Sequence, residues 1–130
     1  MWARDSQDKF PIFATMKKLS VVIPVYNEEE NVPHMASRIF DALEGMDYEV
    51  IFVDDGSSDG TVKAVRELAD QRVKLVELMR NFGQSSAMMA GIGAAEGEWI
   101  ATIDGDLQND PLDIPAMLKL GEEGEWDMVA

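Results

Sequence analysis

Residues 101–110 read ATIDGDLQND, an apolar run that ends in Asp104 and Asp106 with a single glycine between them. Residues two apart in an extended segment point to the same side, with α-carbons about 6.5 Å apart. Both carboxylates therefore reach one ion or its water shell, and Gly105 leaves room between them. Converging carboxylates raise one another's proton affinity unless a cation sits among them. The pair thus calls for a cation. Hard divalent ions such as magnesium take one or two carboxylates and complete their shell with water and substrate phosphates, so the expected ligand carries phosphate. Two other acidic stretches, YNEEE (26–30) and DDGSSDG (54–60), and the polar stretch RNFGQSS (80–86) are the remaining candidates for chemistry.

Several other chemistries fail on the residues. A calcium-binding EF-hand loop needs Gly at position 6 and Glu at position 12. Counted from Asp55, position 6 is Gly60 but position 12 is Arg66; counted from Asp104, they are Asn109 and Pro115. The turn PVYNEEEN contains neither GxGxxG nor GxxxxGK[ST], which argues against dinucleotide oxidoreduction and P-loop hydrolysis. An aspartyl-phosphate mechanism could use acids at strand ends, but Gln108 stands two places after Asp106, where a hydroxyl residue is expected. The 25 acidic against 11 basic side chains give a net charge of -14, which opposes docking on nucleic acid or anionic lipid. No nucleic-acid partner is expected. With no cysteine, a metal must be held by oxygen ligands or by the lone His34, and a reducing cytosol suits the chain. No stretch approaches the roughly 18 consecutive apolar residues that span a bilayer, and a cytoplasmic location is expected.

The elements that must position these residues alternate. LSVVIPVY (19–26), YEVIFV (48–53), VKLVELM (73–79) and EWIATI (98–103) read as strands, the first buried on both faces. WDMVA (126–130) reads as the start of a fifth. Between them lie helices: one capped by Asn31, with Pro33 in its first turn, Met35, Ile39, Phe40 and Leu43 on one face and Gly45 at its end. Others span TVKAVRELADQ, roughly 84–95, and PLDIPAMLKLGEE. The pattern predicts an α/β fold, a mostly parallel Rossmann-like sheet with helices on both faces. All four motifs then fall on strand-to-helix connections at the carboxyl edge, where open α/β sheets bind ligands. Residues 1–16 show neither period and read as a flexible extension outside the fold; 17–130 form the folded unit.

VVIPVYNEEENV, VIFVDDGSSDGT, RNFGQSSAMMAG and ATIDGDLQNDP, in this order and spacing, resemble the nucleotide-binding half of the family 2 inverting glycosyltransferases with a GT-A fold. DLQ with RNFGQ ahead of it is most similar to the branch that loads sugars onto polyprenyl phosphates, such as dolichyl-phosphate mannose synthases. The resemblance covers about residues 17–130. It implies transfer of a hexose from a UDP- or GDP-sugar to a polyprenyl phosphate, with Mg2+ or Mn2+ as cofactor. It implies that Pro24, Val25, Tyr26, Asn27 and Glu28 border the nucleotide, that Asp54 or Asp55 contacts base or ribose, and that Arg80 lies near the base. Asp104 and Asp106 match the metal-binding DxD, with Gln108 as a further ligand, and catalysis depends on Asp106. Such an ion neutralises the charge that grows on a departing nucleoside diphosphate.

Other residues suit plainer roles. Asp59, Asp110 and Asp113 fit turns and helix starts. His34 fits a surface, and Met88 and Met89 fit helix packing. Domains of this family run to roughly 200 residues or more, so the acceptor half is expected to be absent from this chain and the parent to sit at the cytoplasmic face of a membrane. The last strand would be an open apolar edge, which invites pairing with a second copy.

Overall fold

The computed structural model describes residues 2–4, 17–104, 110–124 and 128–129. The chain forms β1 (Trp2–Arg4), β2 (Leu19–Val25), α1 (Asn31–Ala42), β3 (Tyr48–Asp54), α2 (Thr61–Glu67) and β4 (Val73–Glu77). It continues through α3 (Gln84–Ala94), β5 (Trp99–Thr102), α4 (Asp113–Glu123) and β6 (Met128–Val129). The sheet runs β4-β3-β2-β5-β1-β6. Strands β2, β3, β4 and β5 pair in parallel, with Leu19 opposite both Tyr48 and Trp99. All seven residues of β2 and of β3 are buried, as their near-continuous apolar runs require of strands covered on both faces.

From β2 the chain steps outward to β3 and β4, then returns past both to place β5 on the other side of β2. Right-handed crossovers put helices on opposite faces when the direction of travel reverses. Val32, Met35 and Ile39 of α1 and Val65 of α2 pack with Leu19, Val21, Ile23, Val50 and Phe52, together with Ile114 and Leu118 of α4. On the other face Ala87, Met88 and Ala90 of α3 pack on Val22, Ile51 and Val53. The approach is close because Gly91 has no side chain; a Cβ there would overlap Val22 and Val53. The expected parallel sheet with helices on both faces is therefore what forms.

Four local expectations need correction. Trp2–Arg4 does not lie outside the fold: it pairs antiparallel with β5 and with β6, so the strand of 128–129 meets β1 instead of β5. A strand of three residues held by pairing, two of them on both sides, needs no periodicity of its own, which is why the pattern missed it. Asn31 is the first residue of α1 and not its cap; Glu30 holds the cap position, and Asn31 Nδ2 donates to Glu28 Oε2 at 2.6 Å. Met89 is 68% exposed, although Met88 does pack inward. Finally, β4 stops at Glu77, short of the expected Met79. Leu43 caps the end of α1, and Gly45, at φ 83°, lies in the turn that follows.

Two polar clusters secure the amino edge of the sheet. Arg72 donates twice to Asp70 and once to the Tyr48 hydroxyl at 2.8 Å, and its guanidinium lies 4.6 Å from the Phe40 ring centre. Hydrogen bonds from Arg72 hold the Asp70 carboxyl down at about 2. Glu49, 1% exposed, accepts from the Ser20 hydroxyl and the Glu96 amide, and Lys74 Nζ stands 2.7 Å from Oε1 as an ion pair. Burial alone would raise this carboxyl, but the contacts of Lys74, Ser20 and Glu96 outweigh it and hold it below the ordinary range. Gly97 closes the cluster, its amide donating to Ser20 Oγ.

Gly91→Ala should lower stability by roughly 1–3 kcal/mol through overpacking between α3 and the sheet, read from the denaturant midpoint. Glu49→Gln should cost roughly 1–3 kcal/mol at neutral pH, since it removes charge-assisted hydrogen bonds. Glu49 has a depressed folded pKa, so its contribution is present above about pH 4.5 and fades as pH falls through the folded value. The stability difference between the two proteins should therefore shrink on acidification below pH 4.5, and a difference that stayed constant would contradict the assignment.

Candidate functional site

Four connections meet at the carboxyl edge, and each is tied to the next. Asn27, at φ 52°, adopts the left-handed conformation that Asn tolerates. Its amide donates to Ser57 Oγ at 2.9 Å, and its side-chain oxygen accepts from the Ser58 amide at 2.8 Å. The Glu28 amide donates to the hydroxyl of the buried Thr61, and the Asp55 amide to the Val25 carbonyl. Thus 26–30 and 54–61 form one unit. Asp59 accepts from the Thr61 amide and hydroxyl, the turn role expected of it. Burial is the largest single influence and raises its carboxyl, but the hydrogen bonds from Thr61 and the Glu29 amide together hold it below the usual range.

The second tie is Asp55. Its two carboxylate oxygens accept the backbone amides of Phe82 and Gly83 at 2.8 and 3.0 Å, and the residue is 4% exposed. Gly56, at φ 77°, sits where a Cβ would lie 2.5 Å from the Arg80 carbonyl carbon and the Asn81 nitrogen. Only glycine both adopts that conformation and permits that approach. Asp54, 3% exposed, accepts the Ser57 amide through Oδ2, while its Oδ1 is buried without a hydrogen-bond donor among the described residues. A buried carboxylate oxygen left unpaired is costly, which makes Oδ1 a candidate acceptor for a group outside the chain.

The third tie joins α3 to β5. Gly83, at φ 103°, leads into α3, and Gln84 Nε2 donates to Asp104 Oδ1 at 2.6 Å. The Ile103 amide donates to the Val22 carbonyl, which extends the β2–β5 ladder to the residue before Asp104. The edge at which the strand order reverses, between β2 and β5, therefore carries Asp104. This is the crevice where open α/β sheets take ligands.

The expected site residues divide into groups. Pro24 and Val25 are buried strand residues, Tyr26 is 46% exposed, and Asn27 and Glu28 engage neighbouring side chains and amides of the edge. Asp54, Asp55, Arg80 and Asp104 all stand on this edge. The exposed Arg80 guanidinium lies 4.7 Å from the Phe82 ring centre, and Phe82 and Met79 are exposed beside it. Asp106 and Gln108 lie outside the described residues. Asp110 accepts the Leu112 amide ahead of α4, Asp113 opens that helix, and His34 is exposed on α1, all as expected. Sequence reasoning missed Gln84, Ser57 and Thr61; each acts through a residue distant in the chain. A polar side chain opening a helix in GQSS was the available signal for Gln84.

A divalent ion suits the chemistry of this edge, whose side chains offer carboxylate oxygens as donors, among them the half-buried Asp104 at the switch point. Among the described residues no group of three or more His, Cys, Asp and Glu could hold a metal by itself. Of the expected DxD, the described part is Asp104. No helix among the described residues is long and apolar enough to cross a membrane.

The pattern of glycosyl transferase family 2 matches residues 20–130. The chain is 46% identical over 122 residues to the undecaprenyl-phosphate 4-deoxy-4-formamido-L-arabinose transferase of Proteus mirabilis, which covers 90% of this chain and 37% of that protein. Among solved structures it is similar to S. aureus TarS 1-349 in complex with UDP-GlcNAc, at a TM-score of 0.71 and 25% identity over 83% of this chain and 32% of that one. It is also similar to the mannosyltransferase PcManGT of Pyrobaculum calidifontis in complex with GDP-Man and Mn2+, at a TM-score of 0.68 and 28% identity over 88% and 32% of the two chains. The chain thus spans about a third of the length of the proteins it matches. The parallel sheet corresponds to the nucleotide-binding half of GT-A enzymes. The motif resemblance, the fold and the matched span agree: this chain belongs to glycosyl transferase family 2.

Proposed function

We propose that the chain carries the donor site of a metal-dependent inverting glycosyltransferase that moves a hexose from a UDP- or GDP-sugar to a polyprenyl phosphate. The observation that carries this reading is the stitched carboxyl edge. It gathers Asp54, Asp55, Arg80 and Asp104 from three connections around the β2–β5 switch point. The undecaprenyl-phosphate acceptor in the name of the bacterial relative supports the polyprenyl branch. The UDP-GlcNAc and GDP-Man complexes of the two structural neighbours support a nucleotide-sugar donor and leave both bases in play.

In this reading Asp54 Oδ1 accepts a hydrogen from the base or the ribose, which satisfies its missing partner. Asp55 keeps its oxygens on the Phe82 and Gly83 amides and holds the Arg80 segment in place. Arg80, braced on Phe82, faces the anionic nucleotide from an edge that is otherwise acidic. Asp104, with Asp106 and Gln108 as expected from the motif, holds Mg2+ or Mn2+. When bound, that ion supplies Lewis-acid neutralisation of the charge on the leaving diphosphate. A polyprenyl phosphate is already ionised at neutral pH, so the attack needs no general base. The full-length parent would act at the cytoplasmic face of a membrane, where a polyprenyl phosphate is met.

Melting temperatures of the chain with UDP-sugar or GDP-sugar, each with and without Mn2+, test the proposal. Ligand at a hundred times its Kd stabilises the native state by about 2.7 kcal/mol, a rise of several degrees. The rise should require metal and one nucleotide together and should be lost in Asp104→Asn and in Asp106→Asn. An equal rise in both variants would remove the DxD from the site.

A further inference from the structure

We propose that Gln84 is a positioning residue for the metal-binding carboxylate Asp104, and that it ties the nucleotide-side segment to the metal side of the donor site. The proposal rests on the donor-site reading above. Three observations support it. Gln84 is exposed, yet its amide nitrogen reaches across to Asp104 Oδ1 at 2.6 Å, a short charge-assisted contact between two different elements. Its backbone is fixed from both ends of α3. Directly upstream, the Phe82 and Gly83 amides are held by the buried Asp55; downstream, Gly91 lies against Val22 and Val53. Finally, Gln84 is the exposed first residue of α3, so shortening its side chain opens no cavity in the core.

The chemistry follows from what a carboxylate ligand needs. An aspartate side chain turns about two bonds, and only part of that range aims an oxygen at a bound ion. An amide N–H on Oδ1 selects one orientation and leaves the carboxylate charge intact, whereas a lysine in the same place would cancel it. Groups that orient metal ligands from behind commonly change metal affinity by about 10–100-fold when removed. The chain Asp55, Phe82–Gly83, Gln84, Asp104 is then a continuous hydrogen-bonded link from the segment carrying Arg80 to the metal carboxylate.

Mn2+ binding to the chain, measured by the loss of the free-ion electron paramagnetic resonance signal in the presence of UDP or GDP, tests this in Gln84→Ala and Gln84→Asn. Asparagine keeps the amide but falls one methylene short. Both variants should bind Mn2+ at least about tenfold more weakly. Their metal-free melting temperatures and metal-free nucleotide affinities should equal those of the wild type. Unchanged Mn2+ affinity in Gln84→Ala, with Asp104→Ala losing it, would overturn the role of Gln84 and leave the donor site standing. A matching loss of metal-free stability would make the contact structural and also overturn it. If the wild type binds no Mn2+ with either nucleotide, the donor-site reading fails and this proposal fails with it.

Discussion

The carboxylate of Asp55 is the constraint on which the edge depends. It sits buried just after β3 and takes the amides of Phe82 and Gly83, so the segment between β4 and α3 can enter only one way. Gly56 next to it allows the backbone of Arg80 and Asn81 to close on the same point. A buried carboxylate without such donors would carry a penalty of several kcal/mol. Its burial is therefore possible only if the loop docks, and the docked loop in turn aims α3 and Gln84 at Asp104.

The two ends of the sheet handle acidity differently. At the amino edge Asp70 faces Arg72 and Glu49 faces Lys74, each a carboxylate matched by a cation. At the carboxyl edge Asp54, Asp55 and Asp59 take hydrogens from amides and hydroxyls, and Asp104 takes one from Gln84. Dipolar donors stabilise a carboxylate without cancelling its charge. Their arrangement leaves a negative field over the switch point, and a divalent cation with its phosphate ligand is the chemistry that field suits.

Much of this was legible in the chain. The apolar runs of β2 and β3 and the spacing of Met35, Ile39 and Leu43 encode local periods that tertiary contacts reinforce, and the motifs fell on the carboxyl edge because βαβ topology leaves them nowhere else. The residues that read poorly are those whose roles depend on distant partners. Asn27 and Glu28 knit two loops together through Ser57, Ser58 and Thr61, contacts that no local pattern signals. Trp2–Arg4 acquires its strand conformation only from pairing with β5 and β6. Gln84 sits in a motif that was recognised, but nothing local says that its amide reaches a residue twenty places on.

The most direct test of the account follows the backbone amides of the chain by two-dimensional 1H–15N NMR while Mg2+ and UDP or GDP are added together. The account predicts shift changes concentrated at residues 54–57, 80–84 and 103–104, with the amides of Glu49, Arg72 and Lys74 at the amino edge undisturbed. Changes centred on the amino edge, or none with either nucleotide, would contradict the claim that the stitched carboxyl edge is a donor site.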